Sequence, residues 1–273
     1  MKAAEIPLAL YSGIIYNVPM ADVTVLKALV LAGCGSRRAM AETIKQGRIA
    51  VNGVPVASFK QEIEGERDVL TVDGKPIKIK QAEPVYLMLN KPSGVLSTTR
   101  DERGRKTVMY LLPSEDRGRS LHPAGRLDMD SSGLLLLTDD GALTYRLTHP
   151  SFEKEKEYVV TLDHELSRED KIRFEHGIEL EDGLTWPTTV QESPTERKIY
   201  YVILHEGRKR QLRRMFACLG YRVTGLKRIR IGTLLLGDLP EGKMRVLSKA
   251  DVSTPSLPEP PPDSRIERLP PCR

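Results

Sequence analysis

The chain has 273 residues, with 42 Lys and Arg against 37 Asp and Glu, a formal net charge of +5, 40% hydrophobic residues and 5% aromatics. That length suits one large domain or two modest ones, and 29% charged residues without a long apolar run exclude a protein that crosses a membrane by helices. The stretch Leu8 to Tyr16 is too short for a signal peptide and lacks its basic flank, and Cys34, Cys218 and Cys272 are too scattered for a disulfide framework or a zinc site, so a reducing, cytoplasmic setting is expected.

Residues 1–21 read as an N-terminal extension, with Met20 as an alternative start. From Val25 the pattern is helical, with Leu26, Leu29 and Val30 on one stripe and a stop at Gly33 and Gly35. Ser36 caps a second helix whose apolar side is Met40 and Ile44, and Gly47 ends it. Arg48 to Val56 then reads as a hairpin around Asn52-Gly53, a turn that needs two residues of positive φ. Val69 to Val72, Asp73-Gly74 and Ile77 to Ile79 make a second hairpin, and residues 81–84 a linker, which places a boundary after residue 82.

Beyond the linker, short apolar runs recur at Val85 to Leu89, Leu134 to Leu137, Tyr158 to Leu162 and Ile199 to Leu204. Helices are predicted at Thr107 to Leu112, Ala142 to Leu147, Arg168 to Gly177 and Arg210 to Leu219. Strands outnumber helices without regular alternation, so the fold class is α+β on a largely antiparallel sheet, spanning residues 83–247. Seven of the chain's 19 prolines lie between residues 255 and 273, and 248–273 reads as a disordered tail.

The modest net charge is unevenly spread. Between Arg197 and Arg230 there are eleven bases and one acid, Glu206. On the last helix Leu212, Met215, Phe216 and Leu219 share one face, while Arg210, Arg213 and Arg214 share another. Like charges without local compensation point to a polyanionic partner. Arg37 and Arg38 stand in the first turn of a helix, where free backbone N–H groups already favour an anion, and Arg48 opens the hairpin beside them.

Pro123 to Gly141, PAGRLDMDSSGLLLLTDDG, is the chemically densest segment. Asp128 precedes a four-leucine run that should be a buried strand, which sets its carboxylate at a sheet end. Asp139-Asp140-Gly141 reads as a turn that starts a helix. An Asp128/Asp130 acid–base pair is conceivable, but carboxylates two apart in a loop seldom hold the separation required. On residue types alone Asp128 is one of several loop aspartates. The histidines His122, His149, His164, His176 and His205 lack ligand-like spacing, and Cys34 and Cys218 read as buried small hydrophobes on helix faces.

Two resemblances follow from these residues. The segment LKALVLAGCGSRRAMAETIKQGRIAVNG, Leu26 to Gly53, resembles the S4-type RNA-binding domain, and the likeness extends over most of residues 22–82. The Arg126-Leu-Asp-x-Asp-Ser-Ser-Gly-Leu-Leu-Leu-Leu stretch resembles the signature of the RsuA branch of RNA pseudouridine synthases. Asn90-Lys-Pro-Ser-Gly94, Lys156-Glu-Tyr-Val-Val160 and Glu206-Gly-Arg-Lys-Arg-Gln-Leu-Arg-Arg-Met215 resemble that family's other motifs in order. The resemblance implies Asp128 as the catalytic residue, Tyr158 packing on the target base, and Leu212 and Arg213 lining the site, with Arg213 paired to Asp128 to keep it ionised. Arg126 would hold a phosphate, fill the space the base vacates, or brace the loop through a salt bridge. Arg37, Arg38, Arg48, Arg208, Lys209, Arg210 and Arg214 would meet the RNA backbone.

The implied activity is conversion of uridine to pseudouridine in ribosomal RNA, needing neither cofactor nor metal, by a cytoplasmic monomer acting on rRNA or an assembly intermediate and not on a membrane. Arg208 to Met215 and Arg228-Ile-Arg-Ile-Gly232 look closer to the large-subunit than to the small-subunit enzymes. The rival reading is an S4-containing ribosome-assembly protein with a silent catalytic domain, which loss of Asp128, Tyr158 or Arg213 would favour. All three are present.

Overall fold

The computed structural model describes residues 23–64, 67–77, 83–117 and 119–253. The predicted N-terminal extension and the proline-rich segment from residue 254 lie outside them. The chain divides into two units, Met1–Ala82 and Glu83–Arg273.

In the first unit β1 (Val23–Thr24) leads into α1 (Val25–Leu31), capped by the Thr24 side chain, and α2 (Arg37–Lys45) starts at Ser36, whose hydroxyl accepts the Ala39 N–H. β2 (Ile49–Val51) and β3 (Val54–Pro55) turn at Asn52 and Gly53, both at positive φ, as the dipeptide requires. β4 (Glu62–Ile63) pairs with β1, and β5 (Leu70–Val72) turns through Asp73-Gly74 into β6 (Lys75–Pro76). The second hairpin thus returns at Lys75, and residues 78 and 79 of the expected strand lie outside the described ones. Leu26, Leu29, Met40, Ile44, Ile49 and Leu70 close this unit's own core.

The second unit is a nine-stranded mixed sheet. In chain order it has β7 (Tyr86–Lys91), β8 (His122–Ala124), β9 (Ser132–Thr138), α3 (Gly141–Thr148), β10 (Lys156–Leu162) and α4 (Arg168–His176). A small separate hairpin, β11 (Glu179–Leu180) and β12 (Gly183–Leu184), precedes β13 (Thr189–Glu192), β14 (Ile199–Leu204), α5 (Gln211–Cys218), β15 (Val223–Ile231), β16 (Leu234–Leu235), β17 (Met244–Val246) and α6 (Lys249–Val252). The strand order is β13-β14-β10-β15-β9-β7-β17, with β8 beside β9 and β16 beside β15. Every pair is antiparallel except β15 with β9.

The central strands carry two cores. Leu135 and Leu137 face a core closed by Phe174 of α4 and Phe216 of α5, whose rings stack at 4.2 Å; Leu134 and Leu136 face one closed by α3 and α6. All four leucines are fully buried, each contributing about 1.5–3 kcal/mol relative to exposure.

Two expectations are corrected. Thr107 to Leu112 is a single 3-10 turn, Val108–Leu111, because Pro113 holds Leu112 extended at ψ 138 and stops further winding. The folded unit also runs past residue 247: Ser248 and Asp251 form a reciprocal capping box on α6, and Val252 is buried.

Candidate active site

The loop between β8 and β9 is held from below. Gly125 turns at φ +87, with Thr148 Cγ2 only 3.3 Å from where a Cβ would be. Ser97 Oγ accepts the Leu127 N–H at 3.1 Å and donates to the Leu127 carbonyl at 2.9 Å, while the Gly94 N–H donates to the Met129 carbonyl at 2.7 Å. Lys91, 0% exposed, donates from Nζ to the carbonyls of Pro92 at 2.9 Å and Ser131 at 2.7 Å, with Met129 at 3.5 Å. Burial pushes its ammonium down to about 8, against the pull of the Asp130, Asp128 and Glu241 carboxylates. The Asn90-Lys-Pro-Ser-Gly94 segment is therefore the underside of the Asp128 loop.

With Leu127 buried, Asp128 lines the wall of a cleft of about 960 Å³, and among the described residues no donor is bonded to its carboxylate. The apolar part of the wall is Leu147, Tyr158, Leu204, Leu212, Leu226 and Ile231. Tyr158 comes from β10 and is nearly buried, and Leu212 comes from the first turn of α5. Arg126, Lys156, Lys209, Arg210 and Arg228 bring positive charge to the same cleft. Arg126 is exposed and has no ion pair among the described residues, so the loop is not braced through it. Half-buried Lys156 is pushed down to about 8 by burial and then by the Arg228 cation.

Arg213 does not meet Asp128. It sits behind the cleft, donating to the carbonyls of Asp130 at 2.8 Å and Val223 at 2.9 Å, with Nε 3.3 Å from the Asp130 carboxylate. A turn closed by the Ser131 N–H on the Asp128 carbonyl spans these residues, and the Asp130 side chain reaches Arg210 and Arg213 at the start of α5. Arg210 adds two bonds to Asp130, at 3.0 and 2.9 Å, and these hold its carboxyl below the usual range. Asp130 is thereby occupied and does not form a working pair with Asp128.

The basic ridge is largely compensated, by acids that the sequence places elsewhere. Arg214 makes two bonds to Asp182, and Arg230 pairs with Glu155 and Glu157. Arg208 binds Glu206 and the carbonyls of Asp182, Gly183 and Leu184. The count of eleven bases to one acid therefore overstates the cations free for a polyanion, and Lys209, exposed at the cleft, keeps its charge unpaired among the described residues. In the first unit Arg48 is paired twice with Asp73, while Arg37 and Arg38 are exposed on the first turn of α2. Cys34 is half-buried in the turn after α1 and packs against the first unit's core, whereas Cys218 is exposed and is not the buried hydrophobe expected. Among the described residues no three His, Cys, Asp or Glu side chains converge as metal ligands.

Two residues of the cleft carried no signal in the sequence, Ser97 and Trp186. A serine in a loop says nothing alone, and the chain's one tryptophan lies outside every motif.

The open Asp128 carboxylate, the Tyr158 ring and several cations line one cleft, an arrangement that suits an enzyme working on a base carried by a phosphate backbone. The family model for RNA pseudouridylate synthase matches residues 85–218. Ribosomal large subunit pseudouridine synthase B of Bacillus subtilis (strain 168) is 39% identical over 230 residues, covering 83% of this chain and 92% of its own. Its Vibrio vulnificus (strain CMCP6) namesake is 40% identical over 233 residues, covering 83% and 72%. A solved structure of a pseudouridylate synthase superposes with a TM-score of 0.60 at 33% identity, covering 84% of this chain and 98% of that one. The chain belongs to the RNA pseudouridine synthase family, and it is an isomerase of uridine in RNA.

Proposed function

We propose that this enzyme forms pseudouridine in the ribosomal RNA of the large subunit, with Asp128 as its catalytic residue. The names of the Bacillus and Vibrio relatives support the target, and the open Asp128 carboxylate supports the chemistry. The reaction breaks the bond from ribose to the ring nitrogen, turns the uracil and rejoins it through a ring carbon, with no net redox change. Asp128 serves as the nucleophile or acid/base group for that exchange. Tyr158 offers the freed uracil an aromatic face, and Leu212 keeps that side of the cleft dry. The target nucleotide leaves its stack to reach Asp128, at a cost of a few kcal/mol that binding in the cleft offsets.

The first unit serves as an S4-type RNA-binding module, with Arg37 and Arg38 on backbone phosphates where the α2 N–H groups also point. The protein acts in the cytoplasm as a monomer, on rRNA or an assembly intermediate. The test is pseudouridine mapping across both rRNAs of a strain lacking its homologue, complemented with wild type or Asp128→Ala. Restoration of a large-subunit site by wild type alone is expected. A restored small-subunit site would overturn the target, and equal restoration by both would overturn the assignment of Asp128.

A further inference from the structure

The segment after β12 is built with more care than a surface loop needs. Thr185 is buried: its Oγ1 accepts the Ile178 N–H at 2.8 Å and its own N–H reaches the Ile178 carbonyl at 3.0 Å. Thr188 is also buried, bonded to the carbonyls of Phe174 and Glu175 at the end of α4. Gly177 lets the Thr185 carbonyl approach to within 2.5 Å of where a Cβ would be. Between these two anchored threonines lies Trp186, 45% exposed and lining the same cleft as Asp128.

The Glu206 to Arg214 stretch fixes this segment from the other side. Glu206 Oε1 accepts the backbone N–H of Trp186 at 3.1 Å and a bond from Gln211 Nε2 at 2.7 Å. Arg208 gathers the three carbonyls of Asp182, Gly183 and Leu184, and Arg214 clamps the Asp182 carboxylate. Arg208 and Arg214 thus spend their hydrogen bonds on holding the approach to Trp186. The aromatic trio Tyr145, His149 and Phe152 packs upon itself, whereas Trp186 stacks on no ring of the described residues. A large indole on an anchored backbone, half in water, in a cleft that carries Asp128 and several cations is an arrangement whose open face suits a flat π-system.

We propose that Trp186 is a stacking platform for a nucleobase of the substrate RNA next to the uridine that is isomerised at Asp128. This rests on the reading of the cleft as an RNA site. The neighbouring base leaves the helical stack with the target and regains on the indole the stacking it lost, which steadies the open RNA during the reaction. Since every base has such a face, Trp186 adds affinity without dictating sequence.

The chain's one tryptophan makes this directly readable. The probe is large-subunit rRNA transcribed in vitro, and hence free of pseudouridine, titrated into the full-length protein and into Asp128→Asn while tryptophan fluorescence and RNA binding are followed separately. Saturable quenching that tracks binding is expected in both. Trp186→Ala should raise KM about 5- to 150-fold, the range of base–aromatic stacking, and Trp186→Phe should recover most of that loss. Binding and turnover with unaltered fluorescence, or a Trp186→Ala variant with wild-type KM, would overturn the stacking role and leave the enzyme assignment standing. A wild-type protein that neither binds nor modifies RNA would remove both.

Discussion

Lys91, wholly buried at the end of β7, donates from its ammonium to the Ser131 carbonyl at 2.7 Å, and so ties the first strand of the catalytic unit to the loop that presents Asp128. A charge with no access to water persists there because several carbonyls and nearby carboxylates replace its hydration. Removing it takes that donor from the Pro92 and Ser131 carbonyls, while the Met129 carbonyl keeps the Gly94 N–H. Lys91→Met should cost about 2–4 kcal/mol of stability, from about 1–3 kcal/mol for each strongly bonded carbonyl left bare. Because the loop loosens while the cleft keeps its cations, kcat should fall more than KM rises. Thermal unfolding and steady-state kinetics check this, and an unaltered kcat would mean that Lys91 does not position Asp128.

Gly133 opens β9 where the sheet's one parallel pairing begins, opposite Arg228. A Cβ there would lie 2.2 Å from the Arg228 carbonyl oxygen and 2.6 Å from its nitrogen, and φ is +103. Gly133→Ala must therefore push two central strands apart, and a loss above about 3 kcal/mol is expected. Gly141→Ala, at the start of α3 with open space around it, is the control and should be neutral or gain up to about 1 kcal/mol. Urea unfolding of the two variants separates them.

Lys156 gives a pH dependence of definite sign. Its folded value, about 8, lies below the ordinary 10.5, so between those limits the unfolded chain holds the proton more tightly. Stability from this group therefore rises with pH across that window and is lowest below about 8, where the buried charge is carried in full. Lys156→Met gives up the bond from Nζ to the Lys154 carbonyl at 2.9 Å at every pH and sheds the buried charge, so its stability relative to wild type should fall as pH rises from 8 toward 10.5. Unfolding midpoints over that range test the point, and a constant difference would contradict it.

These cases show what could be read in the residues. Asn52-Gly53, Ser36 and the four leucines fixed their own structure locally, through turn geometry, capping and burial on both faces of a strand, and each behaves as its chemistry requires. Asp128 stands out in the sequence through its motif, and in the fold it lies on the cleft wall. Arg213 was misassigned because its partner depends on where the fold places Asp130, a matter of tertiary geometry. The ridge from Arg197 to Arg230 looked uncompensated because Asp130, Asp182, Glu155 and Glu157 reach it across the fold and are invisible in a sequence window.

On the proposed function the first unit binds the RNA backbone electrostatically, and that binding should respond to salt. Arg37 and Arg38, exposed on the first turn of α2, each release counterions on meeting a phosphate. Replacing both with Ala should weaken RNA binding and reduce the slope of log affinity against log salt by about 1–2. Binding measured at several salt concentrations decides this, and an unchanged slope would show that this turn is not in contact with the RNA backbone.

The central claim rests on the Asp128 carboxylate. Its most direct test is a single-turnover assay in which wild type and Asp128→Asn, at equal RNA occupancy, are mixed with transcribed large-subunit rRNA and pseudouridine is counted. Asn keeps the size of the side chain but carries no charge. Wild type should convert one defined uridine while Asp128→Asn binds equally well and converts none; turnover by Asp128→Asn at the wild-type rate would contradict the account.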